Sequence, residues 1–155
     1  MSNVDAVIDA LARAPDIIVP LVLEVPTTVL KRRPAPGKWS AHEHACHLAV
    51  VHPLFFERLD RMLAEDRPAI KPYRPGNDEP DDALLKMDLG GALERFVSDR
   101  RRLVERLRQL RPEQWARTAE HGQYSHYSIF IMFRHLAMHD LLHAYRIEEL
   151  LLERR

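Results

Sequence analysis

Between Ile129 and Leu150 the chain sets Ile129, Met132, Leu136, Ile147 and Leu150 at the steps of three and four that trace one face of an α-helix. On that same face, where a helical core takes leucines, stand His139 and His143. Side chains at i and i+4 lie one above the other with a rise of about 6 Å, so two imidazoles placed this way can converge on one ion. A histidine on an apolar face is by default a hydrogen-bonded core residue, and Zn²⁺ needs at least three protein ligands. A metal site therefore requires a third donor from elsewhere. The chain has nine histidines, and His42, His44, His47 and His52 fall in the other strongly patterned segment, KWSAHEHACHLAVVHPLFFERLDRML.

The remaining pattern predicts an all-α domain. Glycine is scarce at five residues, no run alternates with period two, and every long patterned stretch favours a helix. Asn3 can cap a first helix through about Arg13, and Asp16 a continuation that bends at Pro20 and stops at Pro26. PTTVLKRRPAPGKW reads as an irregular connection. Ser40 and Glu43 then form an S-x-x-E capping box, in which each side chain satisfies an orphan backbone N–H at the helix start. Ala41, Ala45, Leu48, His52, Phe55, Leu59 and Met62 continue as a buried stripe to about Glu65, with a kink expected between Ala49 and His52 because Pro53 lies inside the run.

The proline-rich stretch DRPAIKPYRPGNDEPDD is the longest loop and can carry the chain across the end of a bundle instead of forcing a hairpin. A third helix is predicted from Leu89 to Leu110, with Phe96, Leu103, Leu107 and Leu110 inward. The run Arg100, Arg101, Arg102 reads as a solvated face from which one arginine can turn toward a pocket. RPEQW forms a short turn, EHGQY a loop, and Ser125 the cap of the last helix. No repeat or internal boundary appears, so residues 1–155 read as one domain.

A chain of 155 residues can bury a sufficient core without staples, so a metal here would be functional, not structural. Lysine plus arginine equal aspartate plus glutamate at 23 each, which argues against binding nucleic acid through a basic surface. The single cysteine, Cys46, rules out an internal disulfide framework and suits a reducing cytoplasm. MSNVDAVIDALARAPD lacks the basic start and apolar stretch of a signal peptide, and no apolar run approaches the ~20 residues that span a bilayer. The expectation is a cytoplasmic protein with no membrane partner.

For the third donor, helical geometry favours His47, on the flank of the apolar stripe, over its rival His44 one turn earlier, without deciding between them. The combination Lys38, Trp39, Ser40, Glu43, His47, Leu48 resembles the first signature of the DinB-like four-helix metalloproteins. The segment His139, Asp140, His143, Arg146, Ile147 resembles the second. The likeness spans roughly Leu30 to Leu150, including the Gly122 loop before the last helix. It departs at Arg146, where members often carry glutamine.

That resemblance implies an up-down-down-up four-helix bundle in which His47, His139 and His143 hold a divalent ion. Zn²⁺ is the first choice, and Ni²⁺, Mn²⁺ or Fe²⁺ also suit an imidazole site. Three neutral imidazoles leave an open position for a substrate. The relatives include transferases that use bacillithiol, mycothiol or glutathione, so the implied activity is metal-dependent S-transfer from a small thiol to an electrophile. They typically pair as homodimers through outer helix faces.

A hydrolase is the alternative, because HDLLH has the frame of the zinc-protease motif with Asp140 in place of the glutamate base; being one methylene shorter, its carboxylate is expected to fall short of a bound water and to bond a neighbouring group or support a ligand instead. A metal-binding stress-response bundle without turnover is the third reading. His44, Tyr124, His135 and Asp140 are the candidates for lining the pocket, whereas His121 and His126 default to exposed polar residues; Lys71 and Arg74 in the long loop can receive a carboxylate of the thiol, with a solvated loop charge as the default.

Overall fold

In the computed structural model residues 2–75 and 81–153 are described, and part of the predicted long loop lies outside them. The elements run α1 (Asn3–Glu24), α2 (Thr27–Leu30), α3 (Ala41–Val50), α4 (His52–Ala64), β1 (Ala69–Ile70), α5 (Ala83–Lys86), α6 (Leu89–Arg108), α7 (Pro112–Trp115), β2 (Glu120–His121) and α8 (Ile129–Leu152). Four long arms form the bundle: α1, the broken pair α3–α4, α6 and α8.

Buried side chains fall into two clusters, one toward each end. The first gathers Val7, Leu11, Leu59, Met62, Leu103, Leu107, Met132 and Phe133. The second gathers Ile18, Val22, Ala45, Leu48, Leu93, Phe96, Ala144 and Ile147. Thus α1 and α8 run from the first cluster to the second, while α3–α4 and α6 run back, which is the up-down-down-up topology. Because α4 ends where α6 does and not where α6 begins, the chain must travel the length of the bundle between them. The long proline-rich connection is a topological requirement.

Three helix boundaries differ from the sequence expectation, and the first two differences involve a proline. The first helix is not divided at Asp16: it is capped by Ser2 in a capping box with Asp5 and continues through Pro15 and Pro20. Pro15 removes the N–H that would reach the carbonyl of Leu11, and that carbonyl accepts from Arg100 Nη1 instead at 3.1 Å. Pro20 and Asp16 lie on the exposed side of α1, where water can serve the carbonyl left over.

The kink predicted near Pro53 is a full break at Val51 between α3 and α4. There the orphaned carbonyl is that of Ala49, and His52 Nδ1 meets it at 3.3 Å. The last helix begins three residues after the predicted cap, with Ser128 accepting from Ile131 N at 3.1 Å. An antiparallel bridge between Thr118 and Ser128 holds the backbone before it extended, which prevents Ser125 from starting a turn.

Short β1 and β2 pair in parallel and tie the crossover to the segment before α8. Gly122 belongs to this join, since a Cβ there would stand 3.4 Å from the Pro72 ring. Among the described residues no helix is long and apolar enough to cross a membrane.

Candidate metal centre

The site begins at the Ser40 capping box. Ser40 Oγ accepts from Glu43 N at 3.2 Å, and Glu43 Oε1 accepts from Ser40 N at 3.0 Å. Arg33 grips both oxygens of that buried carboxylate, at 2.9 and 2.8 Å, and also reaches Asp82 at 2.8 Å. The first turn of α3 is thereby tied to the chain before it and to the returning crossover. His47 stands little more than a turn further on, facing α8, whose antiparallel course presents His139 and His143.

The structure brings those three rings together. His47 Nε2 and His143 Nε2 each lie 3.0 Å from His139 Nε2, and one ligand atom from each residue falls within 4.8 Å of the others. His47 and His143 are buried and His139 is partly so. Burial, reinforced by neighbouring basic groups, pushes their imidazoles down to about 3 for His47, about 4 for His139 and about 2 for His143. All three are neutral at pH 7, with ring nitrogens directed at a common point. Neutral imidazoles in that arrangement fit a divalent ion, and the cluster can bind one.

His44 does not join the trio. Its Nδ1 lies 2.8 Å from the outer Nδ1 of His143. Trp39 covers this side, with ring centroids 4.8 Å from His47, 5.5 Å from His44 and 5.9 Å from His143. Tyr73, on the crossover, stacks parallel to His47 at 6.2 Å. Trp39 was visible only as part of a motif, and nothing in the proline-rich loop marked Tyr73.

A cavity of about 1330 Å³ adjoins the site and is lined by Arg33, Lys38, Trp39, His44, Tyr145 and Arg146 among others. Of the pocket candidates only His44 lines it. Tyr124 and His135 pack together at 5.6 Å in a separate aromatic group with His121 and Tyr127. His126 is exposed, as is Lys71.

Asp140 corrects the pocket expectation most sharply. It is 1 % exposed and turns into the bundle, where Arg100 holds it through Nη1 at 2.6 Å and Nη2 at 2.9 Å. Arg100, the first of the arginine run, is itself 1 % exposed. Its Nε donates to His52 Nε2 at 3.2 Å, while Nη1 also serves Leu11 O. One buried polar layer therefore joins all four arms between the two apolar clusters. Residue 140 lies about 100° around the helix from residue 139 and about 60° from residue 143, so its side chain projects to one side of the two rings, toward Arg100 on α6. Locking its carboxylate to Arg100 sets the rotation of α8 that aims both histidines at His47.

Cys46 is buried away from the trio, and burial pushes its thiol up to about 11, so it offers no competing thiolate.

Burying neutral histidines also makes an acid limb. Unfolded histidine titrates near 6.5, whereas burial holds His52 down to about 4 and the trio to comparable or lower values. Below about pH 6.5 the unfolded chain binds protons that the folded one refuses, so each such group removes up to about 1.4 kcal/mol of stability per pH unit. Metal-free protein should show a flat melting temperature above pH 7 and a steep fall between pH 6.5 and 4, measurable by circular dichroism. A flat profile through that window would show the rings to be more open to water than they are here.

With this geometry in place, comparison with known proteins adds two findings. The family model described as the DinB superfamily matches residues 10–147. A solved structure is similar over 95 % of this chain and 85 % of its own, with a TM-score of 0.84 and 25 % identity. It is YfiT from Bacillus subtilis, described as a probable metal-dependent hydrolase with an unusual four-helix bundle topology. Among curated proteins none matches. A bundle of this topology, matched by the family model over nearly its whole length, belongs to the DinB superfamily.

Proposed function

We propose that the protein is a metal-dependent S-transferase that joins a small thiol to an electrophile, with His47, His139 and His143 as the ligands of one divalent ion. The observation that carries this reading is the pairing of three convergent neutral imidazoles with a carboxylate, Asp140, that is turned away and neutralised by Arg100. An ion there supplies Lewis acidity, lowering the pKa of a thiol or a water. Thiol chemistry needs no base from the protein once the thiol has lost its proton, and the carboxylate nearest in sequence is unavailable as one. Trp39 and His44 wall one side, and the adjoining cavity offers Lys38 and Arg146 to the carboxylates of such a thiol. Zn²⁺ is our first choice of ion. We place the protein in the cytoplasm, where such thiols are kept reduced. Met138, Leu141, Leu142 and Tyr145, exposed on the outer face of α8, support a homodimer.

The second reading, a metal-dependent hydrolase, is favoured by the description of YfiT. One experiment separates the two. Protein purified without a nickel column should carry about one divalent ion per chain, and chelation should lower its melting temperature without abolishing the helical spectrum, because the core is sufficient alone. A panel of thiols against a generic electrophile should then give turnover only with metal and thiol present. Hydrolysis of activated esters or amides without thiol would instead establish the second reading, and a bound ion with no turnover in either assay would point to a binding protein.

A further inference from the structure

We propose that His44 is the positioning residue of the metal centre: its Nδ1 accepts the Nδ1–H of His143 and so commits His143 to present Nε2 to the ion. The inference rests on the metal reading above and adds a residue to it. A neutral imidazole carries one proton, and the nitrogen without it holds the lone pair that binds metal. His143 Nε2 faces the trio, 3.0 Å from His139 Nε2, so in the competent form its proton belongs on Nδ1. That atom lies 2.8 Å from His44 Nδ1, a distance that requires one proton between the two nitrogens. His44 must then accept, keeping its own proton on Nε2.

The outer nitrogens of the other two ligands differ. Among the described residues neither His47 Nδ1 nor His139 Nδ1 has a hydrogen-bond partner. The positional bond is thus concentrated on His143, and it comes from the helix opposite. His44 is well placed to give it: its backbone N–H donates to Ser40 O at 3.0 Å in the capped first turn of α3. Trp39 meets the His44 ring edge-on and stacks on that of His143. One helix therefore contributes a ligand, His47, and the acceptor that orients a ligand on α8.

Two variants of matched shape test this. Asparagine places an acceptor oxygen where histidine has Nδ1, and leucine places a methyl group there. With Zn²⁺ alone titrated against a chromophoric chelator, H44L should bind about 10- to 100-fold more weakly than the wild type, and H44N within about threefold of it. Nitrogen-15 spectra of the histidine rings supply a readout that needs neither metal nor variant. In the metal-free wild type His143 should be the Nδ1–H tautomer, and in H44L a mixture.

Zn²⁺ binding by H44L as tight as that of the wild type would overturn this inference alone, as would equal losses in both variants or a wild-type His143 protonated on Nε2. A wild type that takes up no Zn²⁺ would overturn the metal reading and this inference together. Should H44L fail to fold, the wild-type tautomer and H44N decide the matter.

Discussion

Asp140→Asn should unfold roughly 6–20 °C below the wild type, because it leaves the Arg100 guanidinium buried with no counter-charge. Breaking a buried ion pair from one side costs about 3–5 kcal/mol, and for a domain of this size each kcal/mol moves the melting temperature by about 2–4 °C. The asymmetry of the pair sharpens the expectation. Arginine cannot shed its proton to escape, whereas burial already pushes the Asp140 carboxyl up against the pull of Arg100. Arg100→Met should therefore be the milder change, relieved further in mild acid, and the double variant should recover much of the loss. Thermal melts of the two single variants and the double variant measure this directly. Additive losses would mean that the two side chains do not sense each other as the 2.6 Å contact implies. Assayed below its melting temperature, Asp140→Asn should retain turnover within about tenfold of the wild type, since its amide oxygen still accepts from Arg100 and holds the rotation of α8, whereas loss of a true general base costs ~10²–10⁴-fold.

His139→Ala should do the opposite. It removes the ring whose Nε2 lies 3.0 Å from both other donors, leaving two imidazoles where an ion needs at least three protein ligands. Metal affinity should fall at least about a hundredfold and thiol-dependent turnover should drop to background. The metal-free melting temperature should move by only a few degrees, because the ring is only partly buried and its outer nitrogen has no described partner to lose. Metal content after dialysis, a thiol assay and a melt in chelator measure these effects in turn. Full metal occupancy in the variant would remove His139 from the site.

The contrast between these variants marks what could be read from the chain. The four arms were legible because apolar steps of three and four report burial directly, and the Ser40 and Glu43 capping box located the start of α3 to the residue. The i, i+4 spacing of His139 and His143 was legible for the same reason, as was His47 once a family pattern chose it over His44. Arg100 was hidden, because it looks identical to Arg101 and Arg102 until the bundle supplies Asp140, His52 and the Leu11 carbonyl as partners. The continuity of α1 was misread through a local rule. Proline interrupts a helix when its orphaned carbonyl has nowhere to go, and here the answer to that question lies on α6. Asp140 was placed among the pocket candidates because its position in a short motif said nothing about which way it faces.

The polar layer also bears on how the protein comes to exist at all. Residues 11, 52, 100 and 140 come from four separate arms, and their hydrogen bonds join positions 40 to 89 residues apart. Contacts of such long sequence separation form late, after the costliest loop closures. A nascent chain can present His139 and His143 on a helix well before Arg100 has met Asp140, but the helix is not yet held at the rotation that aims them. Loss of the first few turns of α1, by truncation or fraying, would withdraw the Leu11 carbonyl and loosen the centre although α1 contributes none of its ligands. Competence to hold an ion is thus coupled to completion of the whole fold, and an incompletely folded chain is poorly equipped to capture one.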